Sequence, residues 1–239
     1  MKRICTICAR GGSKGVKNKN VRLLLGHPLI AFSIRQAKLS GLFDCVAVSS
    51  DSKDILEAAR TYGADVLIER PTEMATDESA KLPAIQHCVK EAEARLGVSF
   101  DIIVDLDATS PLRDVKDLNS AVELFEKKKG SNLITAAPAR RSPYFNLVEL
   151  NSEGYVYLSK KLEKPIVRRQ DSPKCFDMNA SIYVWTRNAF FEKHTVFNDD
   201  TLLYEMPEDR SIDIDSEIDF KFVEFLMSQK RDSYEALFV

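Results

Sequence analysis

The sequence predicts an α/β domain on a mostly parallel sheet, and three observations point there. Short apolar runs alternate with longer stretches of helical periodicity, as in successive βαβ units. The 239 residues are 44% apolar and 29% charged, an ordinary globular composition. A chain of this length buries roughly 70–75% of its extended surface, so its core needs neither disulfides nor a metal. Residues 1–239 are therefore read as one domain, with 140–180 as a β-rich excursion from the main sheet.

The expected strands are short apolar runs at 3–9, 45–50, 65–68, 102–106, 133–137, 181–185 and 203–206. Between them, helical patterns cover 29–40, 52–62, 79–96, 115–128 and 217–229. Asp51-Ser52 opens the second helix and Gly63 stops it. Lys127-Lys128-Lys129 places cations at the end of the fourth, where they suit the helix dipole. Ser216 and Asp219 read as a capping box for the last helix. That helix carries Ile218, Phe222, Phe225 and Leu226 at helical spacing, the stripe expected to face the core. From about 140 to 179 the alternation breaks. Pro143, Pro165 and Pro173 and the alternating run 145–150 suggest a lid or a dimer arm.

Composition excludes several classes. Lys+Arg 34 against Asp+Glu 36 gives a net charge of −2, which argues against a whole-protein nucleic-acid or acidic-membrane binder. No apolar run approaches the roughly 18 residues of a membrane span. The apolar stretch after Met1-Lys2-Arg3 is too short for a signal peptide, so a cytoplasmic location is expected. Five cysteines without regular spacing are no disulfide framework. Cys5 and Cys8, three apart in a strand, point to opposite faces and make a poor redox pair. His27, His87 and His194 are scattered, which disfavours zinc.

Three constellations carry chemistry. The first, Ala9-Arg10-Gly11-Gly12-Ser13-Lys14-Gly15-Val16-Lys17-Asn18-Lys19-Asn20, directly follows the first strand. Its glycines let the backbone wrap closely around a ligand, and its cations supply charge-assisted donors for a polyphosphate. It matches neither the Walker A nor the G-x-G-x-x-G spacing. The structural alternative is a solvated basic turn. The second is Asp105-Leu106-Asp107-Ala108-Thr109-Ser110-Pro111-Leu112-Arg113, where a buried strand ends. Both aspartates share one side of that strand, at the sheet edge where α/β folds bind ligands. Asp107 and Ser110 could instead organise the turn. The third is Ser211-Ile212-Asp213-Ile214-Asp215-Ser216-Glu217. In extended geometry Asp213 and Asp215 project together, about 6.5–7 Å apart, as hard oxygen donors for Mg²⁺ beside a phosphate site. A structural role for Asp213 and a helix cap at Asp215 are the alternatives.

In order and separation, these motifs resemble the CMP-sialic acid synthetases, the acylneuraminate cytidylyltransferases, from about Ile4 to Phe225. The specific parts are Ala9-Arg10-x-x-Ser13-Lys14-Gly15 with Lys19-Asn20, Arg70-Pro71, Thr109-Ser110-Pro111-Leu112-Arg113 and Ile212-Asp213-Ile214-Asp215. The resemblance implies a three-layer α/β nucleotidyltransferase fold and a homodimer formed partly by the excursion. It also implies a Mg²⁺-dependent reaction of CTP with a nonulosonic acid. By position, Arg10, Lys14 and Lys19, with Gly11, Gly12 and Ser13, would hold the triphosphate. Asn20, Arg70 and Ser79 would place the cytidine, and Asp213 and Asp215 the metal. Asp107, Arg169, Asn179 and Tyr183 would face the sugar acid.

Two departures bear on the sugar. The sialic acid enzymes usually have Gln at the place of Asp107, and Arg-x-Asn-Gly where this chain has Asp177-Met178-Asn179-Ala180. Those features look like the CMP-legionaminate synthetase branch, whose sugars carry a 9-deoxy end and acylated amines at positions 5 and 7. An N-acetylneuraminate or eight-carbon octulosonate substrate is the rival within the enzyme class. A nicotinamide-dependent oxidoreductase and a non-catalytic nucleotide-sugar sensor are the rivals outside it.

Overall fold

The computed structural model describes every residue except Asp77, Pro165, His194 and the side chain of Arg169. Strand β1 (Arg3–Cys8) leads through a long loop to the short pair β2 (Leu23–Leu24) and β3 (His27–Pro28), then helix α1 (Leu29–Ser40). There follow β4 (Cys45–Ser50), α2 (Lys53–Thr61), β5 (Val66–Glu69), α3 (Lys81–Leu96), β6 (Ile102–Leu106), α4 (Val115–Lys128) and β7 (Asn132–Pro138). The excursion holds β8 (Val148–Leu150) and β9 (Val156–Leu158). The chain ends with β10 (Phe176–Thr186), α5 (Arg187–Glu192), β11 (Leu202–Glu205), α6 (Glu217–Ser228) and α7 (Arg231–Glu235).

One sheet organises the molecule, in the order β11-β7-β10-β6-β1-β4-β5. β1 pairs in parallel with β4 and β6, β4 with β5, and β7 with β11, while β10 runs antiparallel between β6 and β7. Side-chain alternation sorts β1 to two faces. Cys5 and Ile7 join the core beneath α1, α2 and α4, whereas Ile4 joins the core beneath α3 and α5. The expected three layers result. Cys8 packs on the face opposite Cys5, and all five cysteines are free thiols.

The expected elements recur within one to three residues, with two informative corrections. Residues 176–180 belong to the main sheet rather than to the excursion, because Phe176–Met178 pair with Ala136–Pro138 before a register shift. That leaves β8 and β9 as the excursion's own antiparallel pair. The second correction concerns α6. Ile218, Phe222 and Phe225 are 75%, 47% and 57% exposed, while Phe220, Val223 and Met227 are buried and Leu226 is partly buried. α6 is apolar on two sides, so periodicity alone does not choose the buried one. The capping box of Ser216 and Asp219 and the buried Ile214 just before it fix the helix's rotation.

A third apolar cluster positions the functional loops. Val16 from the loop after β1 and Ile214 from between the late aspartates are both buried, against Leu24, Phe32, Leu112 and Phe220. Each such residue stabilises by about 1.5–3 kcal/mol when fully buried. Apolar residues inside the charged motifs thus hold those motifs side by side.

Candidate active site

The basic loop leaves the carboxyl end of β1 and is tied at several points. Gly11 N donates to Asp51 Oδ1 at 2.9 Å, Asn20 Nδ2 to the Arg10 carbonyl at 3.0 Å, and Arg10 Nη1 to the Thr76 carbonyl at 3.2 Å. Gly15 is the point of closest approach to the acidic segment. A β-carbon there would lie 1.8 Å from the Asp215 carbonyl oxygen, so only glycine permits the contact. Lys19 Nζ donates to the Ile214 carbonyl and lies 3.5 Å from Asp215 Oδ1. The basic loop and the acidic doublet form one continuous surface. Between them is a cavity of about 230 Å³, lined by Arg10, Ser13, Lys14, Lys19 and Asn20 together with Asp107 and Asp215.

The end of β6 forms another wall. Lys81, at the start of α3, lies 3.1 Å from Asp105 Oδ2 and 3.0 Å from Asp107 Oδ2, with its ammonium 4.7 Å from the centre of the Tyr183 ring. Asp107 Oδ1 accepts from the Thr109 backbone N–H at 3.0 Å and from its hydroxyl at 2.9 Å. Burial opposes the Asp107 anion, but Lys81 and the Thr109 donors outweigh it and hold the carboxyl at a pKa of about 2. Burial likewise works against the Lys81 ammonium, yet Asp107 and Asp105 keep its pKa above the usual lysine range. Asp105 is fully buried. Burial pushes its pKa up despite Lys81 and a 2.8 Å bond from the Thr6 hydroxyl.

A second cavity of about 480 Å³ adjoins the first and shares Asp215 with it. Asp213, Asn179, Asp177, Arg140 and Phe222 are among its lining residues. Asn179 is fixed in place. Its Oδ1 accepts from the Thr135 hydroxyl at 2.7 Å and Ser181 N at 3.2 Å, and its Nδ2 donates to Ser211 Oγ at 3.0 Å. Burial and the neighbouring Asp215 raise the pKa of Asp213. Among the described residues no group of three or more His, Cys, Asp and Glu side chains gathers as a metal centre. The Asp213 carboxyl, disfavoured as an anion beside Asp215, nevertheless suits a hard divalent cation completing its shell with water and phosphate oxygens. Asp215 keeps a 78% exposed side chain and leaves the helix cap to Ser216.

Sequence-predicted residues distribute unevenly over this site. Arg10, Ser13, Lys14, Lys19 and Asn20 line one cavity with Asp107 and Asp215, while Asp213 and Asn179 line its neighbour. Gly11 and Gly12, expected at the triphosphate, are among the lining residues of neither cavity; Gly11 N instead donates to Asp51. The buried Arg70 guanidinium bonds to Ser49 O at 3.0 Å and so holds the end of β4. Ser79 Oγ accepts from Thr76 N at 3.1 Å, bracing the segment that receives Arg10. Tyr183 is buried and stacked on Trp185 beneath Lys81. The Arg169 side chain lies outside the described residues.

Lys81 and the structural role of Arg113 escape sequence reasoning. Arg113 is buried and donates to Ser181 O at 2.6 Å and Ser33 Oγ at 2.8 Å, linking α1, β10 and the Asp107 turn. Burial lowers its pKa to about 10. Its burial was not legible in the motif that contains it, and Lys81 carries no local signal at all.

Residues 4–236 match the family model described as cytidylyltransferase. The chain belongs to the cytidylyltransferase family. This cytidylyltransferase is 48% identical over 227 residues to the CMP-N,N'-diacetyllegionaminic acid synthase of Campylobacter jejuni, covering 95% of each chain. It is 46% identical, again over 95% of each chain, to the post-translational flagellin modification protein B of Campylobacter coli. Its fold is shared with a CMP-2-keto-3-deoxy-manno-octonic acid synthetase solved with CTP, at a TM-score of 0.69 and 16% identity, covering 96% of this chain and 100% of that one. The family assignment displaces the nicotinamide-dependent oxidoreductase considered from sequence.

Proposed function

We propose that this cytidylyltransferase joins CTP to an N,N'-diacetylated legionaminic acid, giving the CMP-sugar and pyrophosphate. The observation that carries the reading is the convergence of the basic loop and the Asp213/Asp215 segment, locked by Gly15 against Asp215. A polyphosphate needs clustered cations and close backbone approach, and its magnesium needs carboxylates within reach. The choice of sugar rests on the 48% identity to a legionaminic acid synthase, which agrees with Asp107 and the 177–180 run.

Arg10, Lys14 and Lys19 would bind the triphosphate and stabilise the charge that grows on departing pyrophosphate. The sugar's anomeric hydroxyl attacks the α-phosphorus in a single displacement, so positioning and charge neutralisation do most of the work. Asp213 and Asp215 would hold Mg²⁺, which when bound polarises phosphate oxygens. Asn179 and Asp107 would face the sugar acid, with Arg169 a bidentate partner for its carboxylate. With its pKa near 2, Asp107 is a hydrogen-bond acceptor and a poor general base.

Residues 1–239 would act as one catalytic domain that works as a homodimer. Exposed Val148, Leu150 and Val156 on the β8–β9 pair with Tyr155 just before β9, and Ile218, Phe222 and Phe225 on α6, supply apolar surface for a second copy. Five unpaired thiols suit a cytoplasmic setting.

The test is pyrophosphate release with Mg²⁺, screening CTP, ATP, GTP and UTP against a panel of nonulosonic acids. CTP with N,N'-diacetyllegionaminic acid should give the highest kcat/KM. Preference for N-acetylneuraminic acid or an octulosonic acid would reject the sugar assignment, and no turnover with any pair would favour a nucleotide-sugar sensor.

A further inference from the structure

The cavity proposed for CTP contains an apparent misfit. An anion site is lined by three cations, Arg10, Lys14 and Lys19, but also by two carboxylates, Asp107 and Asp215. Asp215 has Lys19 at 3.5 Å and belongs to the proposed metal pair. Within the lining Asp107 meets the neutral donors of Thr109 rather than a cation. Its compensation comes from outside, because Lys81 does not line the cavity yet holds Asp107 Oδ2 at 3.0 Å from behind.

Lys81 is itself held on three sides, by Asp107, by Asp105 at 3.1 Å and by the Tyr183 ring. Asp105 is fully buried, and its pKa is raised by that burial, so it demands less of the ammonium than Asp107 does. The Thr109 N–H and hydroxyl also favour the Asp107 anion, so Asp107 keeps a negative charge at neutral pH without Lys81. Removing Lys81 would then leave a bare carboxylate in the wall facing the phosphates.

We infer that Lys81 is a positioning residue for nucleotide binding, which cancels the charge of Asp107 so that the cavity lining stays net positive toward a triphosphate. This inference rests on CTP occupying that cavity. Charge balance, rather than contact with the ligand, is the means. Lys81 therefore selects for the phosphates of the nucleotide and is indifferent to its base.

Calorimetric titration of CTP and of uncharged cytidine into the whole protein separates this role from a structural one. Lys81→Met should weaken CTP binding about tenfold and change cytidine binding by less than about twofold. Asp107→Asn retains an acceptor for Thr109 and removes one negative charge from the lining, leaving Lys81 with Asp105 as its carboxylate partner, so it should tighten CTP by about twofold to fivefold. Lys81→Met/Asp107→Asn should return to within about threefold of wild type, and Lys81→Arg should keep most of the affinity. Equal losses of CTP and cytidine in Lys81→Met, or unchanged CTP binding, would overturn the inference. So would a double variant as weak as Lys81→Met. Should Lys81→Met not fold, Asp107→Asn decides by sign, since weaker CTP binding there contradicts the charge account. Wild-type protein that binds no CTP would instead overturn the proposed function itself.

Discussion

Asp213, the proposed metal ligand, carries a charge that the fold disfavours. Burial and the adjacent Asp215 raise its pKa in the folded protein. A raised carboxyl pKa means that the stability present below the unfolded value is lost as pH rises through the folded value, so at neutral pH the ionised Asp213 is destabilising. Asp213→Asn should therefore abolish Mg²⁺-dependent pyrophosphate release while leaving the melting temperature equal to or above that of the metal-free wild type. A lowered melt with retained turnover would make Asp213 structural. Ala180 presents a different local tension. It adopts φ +51°, a left-handed conformation, between Asn179, whose side chain is bolted in place, and the continuing strand. Left-handed backbone costs a non-glycine residue roughly 1–2 kcal/mol, more than the roughly 0.5–1 kcal/mol glycine ordinarily loses in a strand. Ala180→Gly should thus be neutral to stabilising by up to about 1 kcal/mol in urea unfolding, where most strand glycines would be costly. At this scale the sequence made the loop cations, Asp107 and the late aspartates legible, because each belongs to a local motif. Lys81 was not, since its partners sit 24 and 26 positions further along and only the packing of α3 on the sheet, over β1, β4 and β5, brings its first residue to the end of β6.

Among the elements, packing of buried apolar residues makes the two charged motifs meet. Val16 and Ile214 share one buried cluster, and the Gly15 backbone rests on the Asp215 carbonyl. Gly15→Ala would place a methyl group 1.8 Å from that oxygen, and since the obstacle is backbone, the loop or the acidic segment must shift. Overpacking of this kind costs about 1–3 kcal/mol. The variant should show that loss in thermal unfolding together with a fall in CTP turnover of at least about tenfold. Gly12 has nothing within 4 Å of an added β-carbon, so Gly12→Ala should melt as wild type. Equal stabilities for the two variants would refute the packing account. The seven expected strands and the spans of the five expected helices followed from apolar alternation. The buried face of α6 did not, because its apolar residues cover two stripes and tertiary anchors choose between them.

Over the whole molecule, exposed apolar side chains among the described residues include groups on the β8–β9 pair and on α6. The proposed homodimer predicts a solution mass twice the 27.0 kDa chain in sedimentation equilibrium, and Leu150→Asp combined with Val156→Asp should shift it toward the monomer. A wild-type protein that stays monomeric at high concentration would contradict the dimer. The layered fold was readable from sequence because each βαβ unit repeats the same pattern. The excursion was readable as a β-rich interruption with the alternating run 145–150, and its strands β8 and β9 pair with each other as a local hairpin. What unifies the molecule is a sheet edge where β1 and β6 deliver cations and carboxylates to one place, with the chain's late segment folded back to complete it. The most direct test is a crystal structure with CTP and Mn²⁺, the metal located by anomalous scattering. Triphosphate is expected against Arg10, Lys14 and Lys19, with manganese bound by Asp213 and Asp215. CTP seated elsewhere, or a metal held by neither aspartate, would contradict it.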